Sequence, residues 1–329
     1  MPTLMPAQAA ELVIRALTRS RTSAHNAASV ARALVGAEAD GLKGHGLSRV
    51  PMYAAQAKIG KVDGFAVPSV SQPRPGLIAV DAAHGFAFPA IEAAEATLRG
   101  AARSQGVATA AIHRSGHCGA AGQPVERLAE TGLVALMFVN TPSAMPPWGG
   151  SRAVFGTNPL AFACPLPGRA PLVVDLSVSK VARSNLVSAK QRGEKIPEGW
   201  ALDQSGRPTT DPDAALRGTM LPMGEAKGSA LALVVELLAA GLTGANFAAE
   251  AASYLDAQGP PPGTGQLLIA FDPAAFGGNA VARFGALAAS IEAQVGARLP
   301  GARRLKSREK ARVAGLEISD TLLQDIAAL

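Results

Sequence analysis

Helical texture at both ends of the chain encloses a middle of short apolar runs, and no other feature restricts the fold as much. Ala7–Arg19 carries apolar residues at helical spacing, and Ser23 is placed to cap a second run through about Glu38. Pro51 can open a short third helix, Met52–Ile59, which Gly60 stops. From Gly76 the period changes. Leu77–Val80 reads as a strand and Phe88–Ala102 as an alanine-rich helix. Strands are expected at Val107–Ile112, Leu133–Val139, Leu160–Ala163 and Leu172–Asp175, with a helix near Pro124–Glu130 between the first two. Ser184–Gln191 reads as helical, and about thirty loop-like residues rich in Gly, Pro and Asp follow. A strong helix is expected over Lys227–Ala240. After the stiff connection Gln258–Gly265 come a strand, Gln266–Phe271, and helices at Ala280–Val295, with Asn279 as its cap, and Ser319–Ala328. Helical ends around a strand-rich centre imply an α+β protein whose termini pack together.

The composition fits this outline and excludes several classes. A chain of 329 residues can hold two domains or one large interleaved one. Hydrophobic residues make up 48% but aromatic ones only 4%, so alanine, leucine and valine must fill the interior. The formal charge is +6, yet the basic residues form no stripe with interleaved aromatics, so nucleic-acid binding is not expected. Their one cluster, Arg303–Arg312, is short and carries Glu309. Cys118 and Cys164 cannot make a disulfide framework, which points to a reducing compartment. There is no signal-peptide pattern, and the longest apolar stretch, Ala230–Leu242, is too short for a bilayer and is interrupted by Glu236. The expectation is a cytoplasmic protein with no membrane segment.

The chemistry of the chain concentrates in a few blocks. In Asp40–Pro51, His45 and Arg49 stand four residues apart, a spacing that can put imidazole and guanidinium on one side of a turn. Histidine exchanges a proton near neutral pH, and arginine grips a carboxylate bidentately, so the pair suits a small anionic substrate. No G-x-G-x-x-G fingerprint follows a strand, which disfavours a Rossmann site. Gly116-His-Cys-Gly-Ala-Ala-Gly122 nevertheless lies between a strand and a helix, where glycines and a helix N-terminus can receive a phosphate. Met223–Ser229, containing Lys227, is a second such helix start, and Asp175 closes a strand where ligand-facing residues often lie. His113, His117 and Cys118 have a spacing that would admit zinc, but Gly116 and Gly119 argue against a helix presenting both rings, and no metal is expected. Ser177-Val-Ser-Lys180 matches S-x-x-K without the partner motifs of penicillin-recognising enzymes.

Taken in order, Asp40–Pro51, His113–Gly122, Trp148–Gly150, Phe155–Pro159, Asp175–Ser177 and Gly224–Gly244 resemble the second malate/lactate dehydrogenase family. Its members are NAD(P)H oxidoreductases unrelated to the Rossmann dehydrogenases. Glu236–Phe247 and Gly265–Ile269 look most like its Δ1-piperideine-2-carboxylate/Δ1-pyrroline-2-carboxylate reductases. The resemblance implies a helical domain from residues 1–75 with 285–329, a central region 76–284 carrying a largely antiparallel cofactor-binding sheet, and a homodimer. It implies His45 as proton donor, and Arg49 and Thr157 as substrate contacts. It places the cofactor against His117, Cys118, Gly119, Ala120, Ala121, Asp175, Leu176, Ser177, Arg183, Ser184, Lys227, Arg303 and Arg304. The arginines near residue 303 would favour NADPH over NADH. Two departures stand out. Gly44 replaces the serine that commonly precedes the catalytic histidine, which leaves a relay to Lys43, Ser48 or water, and Glu225 brings a negative charge near an expected anion site.

The implied reaction is NADPH-dependent reduction of a cyclic imino acid. Reduction of a 2-oxo acid by the same machinery, as in malate or lactate dehydrogenases, is the alternative. A nucleotide-binding protein without turnover is the reading from another class, motivated by Gly44 and Glu225.

Overall fold

The computed structural model describes residues 2–329. The chain runs β1 (Thr3–Leu4), α1 (Pro6–Arg19), α2 (Ala24–Ala39), two 3-10 turns at Lys43–His45 and Leu47–Arg49, and α3 (Val50–Ile59). It continues with β2 (Ser69–Arg74), β3 (Leu77–Asp81), α4 (Ala87–Gln105), β4 (Val107–Ser115), α5 (Gly122–Glu130), β5 (Val134–Val139), β6 (Leu160–Leu166) and β7 (Arg169–Leu176). Next come α6 (Arg183–Arg192), β8 (Ala201–Leu202), β9 (Pro208–Thr209), α7 (Pro212–Arg217), β10 (Thr219–Met220) and α8 (Ala226–Glu236), which runs into a π-helical turn at Leu237–Gly241. The last elements are β11 (Thr264–Phe271), α9 (Ala280–Glu292), α10 (Ala302–Ala314), β12 (Leu316–Glu317) and α11 (Asp320–Ala327).

Seven strands form one sheet in the order β2-β3-β4-β11-β5-β6-β7. Only β3 and β4 pair in parallel, joined by α4 as the crossover helix; the other neighbours are antiparallel. The sheet is therefore mixed and largely antiparallel. β11 arrives late in the chain yet takes the central place between β4 and β5. Its first five residues are all buried, because neighbours cover both faces and alternation is lost.

The scarcity of aromatics shows in the packing. On α4, Ala87, Ala90, Ile91, Ala94, Leu98 and Ala101 fall on one helical stripe and meet Ala108, Ala110 and Ile112 of β4. Small residues on both sides let helix and sheet approach closely, and large aliphatics such as Leu98 contribute roughly 1.5–3 kcal/mol each on burial. A second core joins the two ends of the chain: Val13, Leu17, Val30 and Leu34 pack with Ala311, Leu316, Ile318 and Ile326. The short β1–β12 pair ties the termini further.

Several elements depart from the sequence pattern for physical reasons. β2 is exposed along its whole length, so it buries no face to generate a period, and Pro73 is tolerated at that sheet edge. The basic segment Arg303–Arg312, for which the sequence shows no helical apolar stripe, makes up most of α10, of which only Ala311 is buried. It is anchored by ion pairs rather than by an apolar stripe. The region expected as loop after α6 holds α7 and the three-stranded sheet β10-β8-β9. Asn279 sits at the N-cap of α9, but its side chain accepts no capping bond. No helix of the described residues is long and apolar enough to cross a membrane.

Candidate active site

The 3-10 turns between α2 and α3 are forced by one carboxylate. Glu38, near the end of α2, accepts a 2.9 Å hydrogen bond from the Leu47 amide. A Cβ on Gly46 would sit 2.2 Å from that same Glu38 oxygen, so the chain can fold back there only with glycine. The result is two short turns rather than one helix, with His45 ending the first and Arg49 the second. Both side chains line a large cleft of about 1310 Å³ between the helical ends and the sheet.

Arg49 is held at one end only. Its Nε donates to the Gly44 carbonyl at 2.6 Å, and no carboxylate of the described residues pairs with its guanidinium. An anionic ligand would find the outer nitrogens free. His45 is half-buried, and its Nδ1 is buried without a hydrogen-bond partner. Burial, followed by the nearby Arg49 charge, pushes its pKa down to about 4. The imidazole is thus neutral at pH 7, with a ring nitrogen free of a proton.

His117 stacks on His45, with ring centroids 5.5 Å apart and planes within 12°. Its Nδ1 lies 2.5 Å from the Tyr53 hydroxyl, and the ring of Tyr254 meets it edge-on at 5.0 Å. Burial, then Arg49 and His45, holds the His117 pKa well below the usual histidine range. Cys118 points the other way, into the core between sheet and helices. Burial and the Asp175 charge raise its thiol to about 12, so it offers no thiolate. His113 lies back in β4 near Asp81, and among the described residues no three His, Cys, Asp or Glu side chains gather as a metal site.

The loop His117–Ala121 leads into α5, whose first amide is already taken. Asp175, at the end of β7, accepts from Gly122 N at 2.7 Å, so the chain's own carboxylate occupies part of the helix N-terminus. Burial raises the Asp175 pKa, while the Gly122 bond and Arg304 counter it. Gly119 adopts φ +70° and leaves no space for a side chain against Phe88. The wall of the cleft there is bare backbone, with Leu176 and Ser177 across from it. This shape and size suit a dinucleotide.

Thr157 lines the cleft on a loop that a buried network shapes. Its amide bonds Thr141 Oγ1 at 2.9 Å, and a Cβ on Gly156 would approach that oxygen to 2.1 Å. Next to it, Asn158 takes a positive φ and donates to Glu236 at 2.8 Å. Glu236 also accepts from Asn140 at 3.2 Å and from the Ala248 amide at 2.6 Å. The acidic residue that interrupts the apolar run of α8 is the hub of the loop that carries Thr157; its separation in sequence from Asn140 and Asn158 hides this.

Most of the sequence-derived candidates meet here: His45, Arg49, Thr157, residues 117–121 and 175–177, Arg183, Ser184, Arg303 and Arg304 all border the cleft. Lys227 does not. It is exposed at the start of α8, outside this lining. Arg304 borders the cleft but is engaged by Glu126 at 2.5 Å and Asp40 at 3.4 Å, in a cluster completed by Arg308, whereas Arg303 is exposed with no ion pair among the described residues. The relay groups considered for His45 lie elsewhere: Lys43 reaches the Glu317 carbonyl and Ser48 the Lys43 carbonyl, both at the surface. Ser184 instead borders Gly44, 3.5 Å from where a Cβ would stand. Tyr53, Tyr254 and Lys61 carry no sequence signal. The buried Lys61 amine holds the carbonyls of Ser253, Asp256 and Gln258, and so fixes the segment that brings Tyr254 to His117.

The profile of the malate/L-lactate dehydrogenase family matches residues 4–327. The chain is 50% identical over 321 residues to a (2R)-3-sulfolactate dehydrogenase (NADP(+)) from Chromohalobacter salexigens, covering 98% of this chain and 96% of that one. It is 42% identical to a Δ1-pyrroline-2-carboxylate/Δ1-piperideine-2-carboxylate reductase from Pseudomonas putida, covering 94% and 89%. Its fold superposes on the crystal structure of Δ1-piperideine-2-carboxylate reductase from Pseudomonas syringae pvar. tomato with a TM-score of 0.94 at 40% identity, covering 100% and 99%. With nearly its whole length matched, the chain belongs to the malate/L-lactate dehydrogenase family.

Proposed function

We propose that this protein is an NADP-dependent dehydrogenase of a small 2-hydroxy acid that carries a second acidic group, of the 3-sulfolactate kind. The observation that carries the reading is the pairing of a neutral His45 with an unpaired Arg49 in one cleft beside the His117–Ala121 loop. Arg49 holds the carboxylate and so fixes which face of C2 is presented. His45, deprotonated at neutral pH, accepts the proton of the C2 hydroxyl through its ring nitrogen. NADP, when bound, supplies the hydride acceptor; residues 118–121, Asp175 and Ser177 would hold it, and Arg303, which like Arg298 borders the cleft with no ion pair among the described residues, would meet a 2′-phosphate. In the reverse direction a bound carboxylate offsets the Arg49 charge and lets His45 take up the proton it must give.

A second guanidinium supports the second acidic group. Arg183 lines the cleft; among the described residues its Nε is buried without a partner and its side chain bonds only the Leu216 carbonyl, at 3.3 Å. The 50% identity to a sulfolactate dehydrogenase favours the same substrate class. Reduction of a cyclic imino acid is the second reading, favoured by the relatives at about 40% identity that carry that name. Function within the cytoplasm fits both. A homodimer is also proposed, supported by the exposed apolar residues Leu233 and Val234 of α8 and Leu237 of the π-helical turn that follows it.

A substrate panel tests the proposal. NADP⁺ reduction with 3-sulfolactate, malate and lactate is compared with NADPH oxidation by pyrroline-2-carboxylate. The dianionic hydroxy acids are expected to show the highest kcat/KM; a preference for the cyclic imine would replace this reading with the second one. Cofactor binding with no turnover on any of these would favour the inactive alternative.

A further inference from the structure

The hydroxyl of Tyr53 is buried on α3, its ring packed against Phe86 and Phe88 at 5.6 and 6.2 Å between centroids. A phenol has one proton to donate, and its only partner among the described residues is His117 Nδ1, at 2.5 Å. Burial raises the phenol's pKa and keeps its proton; were the oxygen to accept from Nδ1, that proton would be left buried without an acceptor, so the pairing that leaves no donor unmet has the Tyr53 hydroxyl donating and Nδ1 accepting. A neutral imidazole has a single proton, and with Nδ1 accepting it resides on Nε2. His117 is neutral for the reasons given above. Its Nε2 has no partner among the described residues and is not enclosed, and the residue borders the cleft against the stacked face of His45.

We infer that Tyr53 is a positioning residue that locks His117 as the Nε2–H tautomer, making it a neutral hydrogen-bond donor to the C2 oxygen of the substrate while His45 handles the proton. The assignment rests on the hydroxy-acid reading for the identity of the acceptor, but not for the tautomer. Two adjacent imidazoles then divide the work. The one bonded to the phenol donates and keeps its proton; the one without a partner exchanges it. Tyr254, set edge-on and hydrogen-bonded to Thr264 at 2.6 Å, fixes the tilt of the His117 ring.

The test is Tyr53→Phe, which keeps the ring packing and removes only the hydroxyl. In ¹⁵N-labelled wild-type protein, His117 is expected to show a protonated Nε2 and a hydrogen-bonded, unprotonated Nδ1, and in Tyr53→Phe a mixture of tautomers. With hydroxy acid as substrate, kcat is expected to fall between about three- and tenfold, the scale of one neutral hydrogen bond, with KM for NADP⁺ unchanged. A proton on Nδ1 in the wild type would overturn the inference even if the substrate proved to be an imine, because that measurement needs no turnover. A variant with a lower Tm but unaltered tautomer and kcat would reduce Tyr53 to a packing residue and overturn it equally.

Discussion

Glu236 offers the sharpest connection between folding and the cleft loop that carries Thr157. Its two carboxylate oxygens receive three buried donors: Asn140 Nδ2, Asn158 Nδ2 and the Ala248 amide. Asn140 and Asn158 each keep a second bond, to the carbonyls of Asn246 and Ala232, whereas the Ala248 amide is left with none. Glu236→Ala therefore orphans one donor fully and two in part, and it adds a small cavity. At about 1–3 kcal/mol for a fully orphaned buried group, and less for the other two, the loss comes to roughly 3–5 kcal/mol. Glu236→Gln replaces one oxygen by an amide NH2, a donor that cannot accept. If the oxygen stays on the Asn140 and Ala248 side, only the Asn158 bond is lost, for about 1–2 kcal/mol. The assay is urea unfolding at constant slope, read beside KM for the substrate. The order wild type > Gln > Ala is expected in midpoint, with KM rising in the same order because Asn158 neighbours Thr157. A Glu236→Ala protein with an unshifted midpoint would refute the argument that this carboxylate is the acceptor for the loop.

Other expectations follow from the same geometry. Arg49→Lys should raise KM for the hydroxy acid about tenfold, since an ammonium cannot reproduce the two-point grip; an unchanged KM would remove Arg49 from the substrate. The acid limb of kcat/KM for oxidation reports the free enzyme. Because the His45 pKa is depressed to about 4, activity should hold as pH falls through 6.5 and be lost only near 4, so a limb at 6.5 would contradict the burial argument. Gly156→Ala places a methyl 2.1 Å from Thr141 Oγ1 and should raise substrate KM without altering the cofactor's; equal effects on both would count against the local explanation. Arg303→Ala should weaken NADPH relative to NADH, and an unchanged ratio would leave the 2′-phosphate to another group.

How far the sequence alone carries can be judged from these residues. His45, Arg49 and the glycine loop at 116–122 are legible because their chemistry lies within a dozen residues of chain. The strands of the sheet show as apolar runs, but nothing local says that Thr264–Phe271 inserts between β4 and β5. α10 is concealed because its contacts are ionic, and β2 because it buries neither face. Tyr53 and Lys61 act through hydrogen-bond partners 64 or more residues away, and Glu236 joins Asn140 and Asn158, 96 and 78 residues off, to the nearer Ala248 amide, so single-chain spacing could not reveal them. Lys227 shows the opposite failure: a helix start with Gly, Lys and Ser has the composition of an anion site, but it faces solvent outside the cleft.

The central claim is that the half-buried imidazole of His45 takes the hydroxyl proton as the hydride leaves C2. Single-turnover reduction of NADP⁺ by 3-sulfolactate, followed by absorbance in wild type and His45→Ala, tests it directly. The account predicts a rate lower by about 10²–10⁴-fold in the variant, with cofactor affinity and thermal stability retained. A variant that transfers hydride at the wild-type rate would contradict it.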